Sequence, residues 1–121
     1  YKDDAAEVAA FEEKTGCKIT RVPWVMASPD NARQDVDLYA ACIAELGEVV
    51  GVHTTALHLS SALGVPTTIL THRGSGWRYA PDEMLWYPHS TALWKKDRGE
   101  SWRESVGALV RHRTEQEKQA A

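Results

Sequence analysis

The residue types with the most chemical capacity fall in one stretch, "HTTALHLSSALGVP", running from His53 to Pro66. The apolar run Val49 to Val52 precedes it and Thr67 to Leu70 follows it, so it reads as a short helix between two buried strands. The first turn of such a helix leaves backbone N–H groups unpaired, and the helix dipole favours negative charge there. Thr54 and Thr55 stand at that turn, with hydroxyls able to cap the helix or to donate to a phosphate. Thr54 and His58 are four residues apart and project from one face, so His58 can add a donor to an anion held beside His53 and the threonines. Two plainer readings stand next to this one: Thr54 and Thr55 as N-caps only, and His58 as a buried histidine satisfied by a backbone carbonyl. A metal site is not expected. His53 and His58, five residues apart, lie roughly 140° around a helix, with no Cys, Asp or Glu at ligand spacing.

A second group of candidates lies in "THRGSGWRYAPDEMLWYPH", Thr71 to His89, which leaves the carboxyl end of the following strand beside the His53 turn. Arg73 and Arg78 are anion partners there, and Trp77, Tyr79, Trp86 and Tyr87 are surfaces on which a base or sugar can stack. Trp86 and Tyr87 are also expected to cover the edge of the sheet. A third, weaker candidate is Met26 in "VPWVMASPD", where an apolar turn after a strand could flank a flat base. No nucleophile–base pair, Walker loop or G-x-G-x-x-G is present, and no carboxylate stands out as a general base.

The elements that must position these residues alternate between helical and strand periods. A helix is expected over Asp4 to Thr15, stopped by Gly16; a strand over Lys18 to Val25; and a turn through Pro29-Asp30-Asn31. A second helix, Asp35 to Leu46, carries Val36, Tyr39, Ala40, Ile43 and Leu46 at helical spacing. Glu48 to Val52 lacks alternation, as a strand covered on both faces would. The helix from Thr54 or Thr55 to Leu63 leads to a strand over Pro66 to Leu70, and Thr91 to Trp94 suggests another. Ser101 and Glu104 form a capping box for a last helix with the stripe Trp102, Val106, Leu109 and Val110, and its charged tail, Arg111 to Lys118, is expected to fray. Strands alternating with helices imply parallel pairing, hence an α/β, Rossmann-like three-layer α/β/α domain.

The 121 residues suffice for one domain, with 43% apolar and 26% charged residues and a net charge of −3, which offers no nucleic-acid footprint. No run is long and apolar enough for a membrane span. Two cysteines, Cys17 and Cys42, are too few for a disulfide framework and read as reduced core thiols, with the cytoplasm as the default location. A first residue other than Met suggests a piece of a longer chain.

The string "VVGVHTTALHLSSALGVPTTIL", with "WRY" and "WYP" after it, resembles the C-terminal half of GT-B glycosyltransferases. It is similar above all to the lipopolysaccharide heptosyltransferases and to glycosyltransferase-like domains fused to tetratricopeptide repeats. In that family a strand leads into Asp-Thr-x-x-x-His-Leu, then Ala-Leu-Gly-x-Pro and another strand; Thr54, His58, Leu59, Ala62, Leu63, Gly64 and Pro66 match it here. The resemblance implies a single nucleotide-sugar-binding domain over 1–121, with the N-terminal domain of the same chain as its partner and as the source of the catalytic base. It implies that Thr54 and His58 hold the diphosphate of a nucleotide sugar for metal-independent, inverting transfer. The sugar is a donor substrate, and no cofactor is expected. His53 stands where the family has an acid that contacts the donor sugar, although His-Thr-Thr is similar to the diphosphate motif of the O-linked N-acetylglucosamine transferases. Two alternatives remain open: a non-catalytic domain that keeps the fold for interaction, and half of a nucleotide-sugar epimerase.

Overall fold

The computed structural model describes residues 4–21, 34–79 and 81–121. The chain divides into two compact units, Tyr1–Val36 and Asp37–Ala121.

In the first unit, α1 (Ala5–Thr15) ends at Gly16, whose φ of 70° is left-handed and whose N–H donates to the Glu12 carbonyl at 2.8 Å. The Glu12 carboxylate then accepts from the Ile19 N–H at 2.7 Å, folding the chain back along the helix. Arg21 pairs with Asp4 at the helix start. α1 buries none of its residues, and Phe11 is half-exposed. Residues 18–21 are not in a strand, contrary to expectation; these bonds to α1 side chains hold that stretch instead. The rest of the expected strand, the turn at 29–31 and Met26 lie outside the described residues.

α2 (Val36–Ala44) starts at the boundary residue, and the second unit continues with β1 (Val49–Val52), α3 (Thr55–Ala62), β2 (Thr67–His72), β3 (Thr91–Lys96) and α4 (Trp102–Ala120). The described residues thus form a mixed α/β chain of four helices and one three-stranded sheet, ordered β1-β2-β3 and parallel throughout. Val49 pairs with Thr67 and Thr67 with Thr91, so the three strands start level and their carboxyl ends emerge together. β2, in the middle, is buried on both faces apart from its end, whereas β1 is not. Val50 and Val52 are 47% and 51% exposed, which corrects the expectation of a doubly covered strand; β1 packs through Val49 and Gly51 only. A Cβ at Gly51 would sit 3.3 Å from Leu57 Cδ2, so glycine here lets α3 lie close on the sheet.

The core joins Leu57 of α3, Ile69 of β2, and Tyr79 and Met84 from the connection after β2, with Val49, Ala56, Tyr87 and Leu93 around them. Hydroxyls rather than hydrocarbon fasten the other end of α3. Ser61 Oγ donates to the Leu57 carbonyl at 2.7 Å and accepts from Thr91 Oγ1 at 2.6 Å, while Ser60 Oγ meets Thr67 Oγ1 at 2.7 Å. All four residues are buried, and each hydroxyl is partnered, as the cost of an unmade buried bond requires.

α4 starts at the expected capping box, with Ser101 Oγ accepting from the Glu104 N–H and Glu104 Oε2 accepting from the Ser101 N–H. Its buried face is not the expected stripe. Leu109 is buried, but Val106 and Val110 are 39% and 58% exposed, and Ser105 is buried in their place. The Trp94 indole N–H reaches Ser105 O and Oγ at 3.0 and 3.1 Å, so a polar contact sets the rotation of the helix. The tail does not fray: α4 continues to Ala120. Cys17 is exposed and Cys42 half-buried, both free, so Cys17 is no core thiol. Among the described residues no helix is long and apolar enough to cross a membrane.

Candidate functional site

At the carboxyl end of β1 the chain enters α3 through Thr54, whose φ of −129° and ψ of 173° are those of an N-cap. The Thr54 carbonyl accepts from the Leu57 and His58 N–H groups at 3.1 and 3.2 Å. Its side chain makes no capping hydrogen bond, so the plain capping reading does not account for the hydroxyl. His53, Thr54 and Thr55 are all exposed. The start of α3 therefore presents its first N–H groups and two threonine side chains to the outside, the arrangement that accepts anions at helix N-termini.

His58, one turn on, is part-buried. Its Nε2 lies 2.6 Å from Tyr79 Oη, so a side-chain hydroxyl rather than a backbone carbonyl satisfies it. The neutral ring accepts from the tyrosine or donates to it according to its tautomer. The His53 ring is also tilted against Tyr79, with centroids 4.9 Å apart, and Trp86 and Tyr87 each stand 6.3 Å from the His58 ring. Arg78, next to Tyr79, lays its guanidinium 5.3 Å from the centre of the Trp77 ring and 5.5 Å from that of Trp86, a cation–π arrangement that fixes the charge near His58. Burial among these rings holds the His58 pKa below the ordinary histidine value, helped by Arg78 and then by His53. Burial likewise raises the Tyr79 pKa, against a smaller opposing pull from Arg78. The phenol is thus protonated at neutral pH, and the fixed positive charge of the group is that of Arg78.

The structure thus groups His53, His58, Trp77 and Arg78 around Tyr79 and Trp86, beside Thr54 and Thr55. Arg73 has other partners: its Nε donates to Asp97 Oδ1 at 2.6 Å, and its Nη1 lies 4.0 Å from Asp82. Tyr79 has a different role from the stacking surface expected of it. It is 7% exposed and belongs to the core, serving as the post on which both histidines lean. No periodicity in the segment marks that role. Trp86, expected over the sheet edge, is half-exposed and meets Trp77 edge-on at 5.7 Å, while Tyr87 does pack on the core. Among the described residues no three of His, Cys, Asp or Glu come together as metal ligands.

Fold and site together define a parallel α/β unit with a polar strand-to-helix turn backed by an aromatic and cationic wall. The chain is similar to Protein FlbA of Caulobacter vibrioides, 27% identical over 110 residues. That match takes in 91% of this chain but only 17% of the length of FlbA. No family model matches the chain, and no solved structure matches it.

Proposed function

We propose that this chain is the donor-binding, Rossmann-like three-layer half of a cytoplasmic GT-B glycosyltransferase, holding a nucleotide-diphosphate sugar. The observation that carries the reading is the free Thr54 side chain one turn from His58, with the Arg78 charge beside them. The diphosphate lies at the start of α3, donors coming from the Thr54 and Thr55 hydroxyls and first-turn N–H groups. Neutral His58 contributes a hydrogen bond and Arg78 the charge. As the glycosidic bond to the diphosphate breaks, these groups stabilise the developing negative charge on the leaving oxygen. Transfer is inverting and metal-independent, and the base comes from the other domain. Titration of UDP-, ADP- and GDP-sugars into the intact protein tests this. One donor should bind, and Thr54→Ala and His58→Ala should each weaken it by about tenfold; absence of binding, or binding indifferent to both substitutions, overturns the reading.

A second reading, a non-catalytic domain that keeps the fold for interaction, is favoured by one contact. Tyr79 Oη already occupies His58 Nε2, and His53, in the place of the family's acid, leans on the same tyrosine. Under that reading Tyr79→Phe leaves the intact protein unable to bind any of the three donors, as the parent is.

A further inference from the structure

We propose a phosphate-binding site in the cavity between the turns that follow β2 and β3, with His72, Arg73 and Arg98 as donors. The cavity has a volume of about 420 Å³ and lies at the carboxyl ends of two adjacent parallel strands, where α/β sheets present their ligands. Its wall carries His72, Arg73, Lys96 and Arg98, with Ser75 and the side-chain-free Gly74 and Gly99 completing it, and no carboxylate. That is an unusual concentration in a chain whose net charge is −3.

The acids nearby already have partners, and Asp82 also lies 3.7 Å from Lys95 Nζ. The Asp97 carboxylate takes the Arg73 Nε–H, Glu100 Oε2 accepts from the Asp97 N–H at 3.1 Å, and Glu104 is locked in the capping box of α4. The basic groups, in contrast, are held in place. Asp97 orients the Arg73 guanidinium through Nε, while Asp82 Oδ1 stands 4.0 Å from Nη1, beyond hydrogen-bond distance, so that Nη1 can still donate to a ligand. The Trp102 indole backs both the His72 ring, with centroids 5.9 Å apart, and Lys96 Nζ, 5.4 Å from its centre. Lys96 Nζ donates to the Glu100 carbonyl at 2.5 Å, so it acts as a fixed background charge rather than a mobile donor. Ser75 Oγ donates to the His72 carbonyl at 2.5 Å and only shapes the wall. Arg98 has no ion pair among the described residues, and its planar fork suits two oxygens of a phosphate.

This site shares no residue with the start of α3 and does not rest on the nucleotide-sugar reading. The ligand is a phosphate group, either free or as the arm of a phosphorylated sugar. Calorimetric titration of the intact protein with inorganic phosphate and with glucose 1-phosphate separates the two sources; tighter binding of the sugar phosphate assigns the organic ligand, equal binding the free ion. Hydrogen exchange locates the site. Either ligand should protect peptides over 71–76 and 96–100, whatever happens over 53–58, where protection bears on the nucleotide-sugar reading alone. Arg98→Ala, at an exposed position, should weaken binding by about tenfold, and Arg98→Lys should restore part of it. No protection over 71–76 and 96–100, or full affinity in Arg98→Ala, overturns the proposal.

Discussion

A histidine carries different chemistry depending on what surrounds its ring, and His58 illustrates how closely that depends on one loop residue. Tyr79 satisfies Nε2, removes the ring from water and brings Arg78 within electrostatic reach. Loss of water is the larger cause of the lowered pKa, and Arg78 adds to it. The sign of the consequence follows directly. The unfolded chain binds a proton at His58 more readily than the folded one, so this residue's contribution to stability is complete above the ordinary value of about 6.5. It is lost as the pH falls through the lowered value. Ring-proton titration by NMR should show His58 titrating below that ordinary value, and Arg78→Gln should bring it part of the way back. An unmoved His58 in Arg78→Gln would mean that burial, with His53, sets the shift without Arg78. For the proposed donor site the result matters because a neutral ring offers a directed hydrogen bond to the diphosphate, while a charged one would also be repelled by Arg78.

At the scale of elements, α3 is fixed to the sheet by hydrocarbon at one end and by hydroxyls at the other. The Ser61–Thr91 pair tests how directional that fastening is. Ser61→Ala deletes the acceptor for the Thr91 hydroxyl, whose next neighbour, Ser90 Oγ at 3.5 Å, is too distant to replace it. An unsatisfied buried hydroxyl should then cost about 1–3 kcal/mol. Thr91→Val leaves Ser61 still donating to Leu57 and should cost less, about 1 kcal/mol. The double variant removes both groups together and should be less destabilised than the two single losses added, a coupling that urea unfolding of the three variants measures. The same residues show what the sequence could and could not convey. "HTTALHLSSALGVP" announces a strand-to-helix turn with threonines at its start, because caps and strand runs are local features that act over a few residues. The capping box at Ser101 and the stop at Gly16 were legible for the same reason. Ser60, Ser61 and Thr91 carry no such mark of burial, since hydroxyls bury only when partners from other elements meet them. Nor does Ser105, whose burial depends on Trp94 from a different strand. Tyr79 joins the core through a connection without periodicity, so no local pattern marks its role at the site.

At the scale of the whole second unit, the last helix closes on the first strand across most of the sequence. Arg113 of α4 donates through Nη1 to Glu48 Oε2 at 2.5 Å, 65 positions earlier, and through Nη2 to Thr68 Oγ1 at 2.6 Å. These contacts lie at the amino ends of β1 and β2, whereas the Thr54 turn and the His72 cavity lie at the carboxyl ends. The tail expected to fray is helical up to this fork and past it. A polar helix with one buried leucine gains its position from directed contacts of this kind. The Glu48 half is about one-third exposed, so solvent screening limits it to about 1 kcal/mol or less. The Thr68 half is a charge-assisted bond to a buried hydroxyl and is less sensitive to salt. Arg113→Ala should therefore lower stability by about 1–2 kcal/mol at low ionic strength. The loss should shrink, without vanishing, in about 1 M salt, where the Debye length is about 3 Å. Arg113→Gln, which can still donate to Thr68, should recover the salt-insensitive part. Urea unfolding at the two ionic strengths separates these contributions, and a loss that disappears entirely in salt would assign the whole effect to Glu48. Four strand residues, about 13 Å of β1, separate this clamp from the Thr54 turn. The affinity of the intact protein for its donor should therefore be the same in Arg113→Ala as in the parent. A change in that affinity would mean that the two ends of β1 are mechanically coupled, and that the last helix tunes the proposed site through the strand it holds.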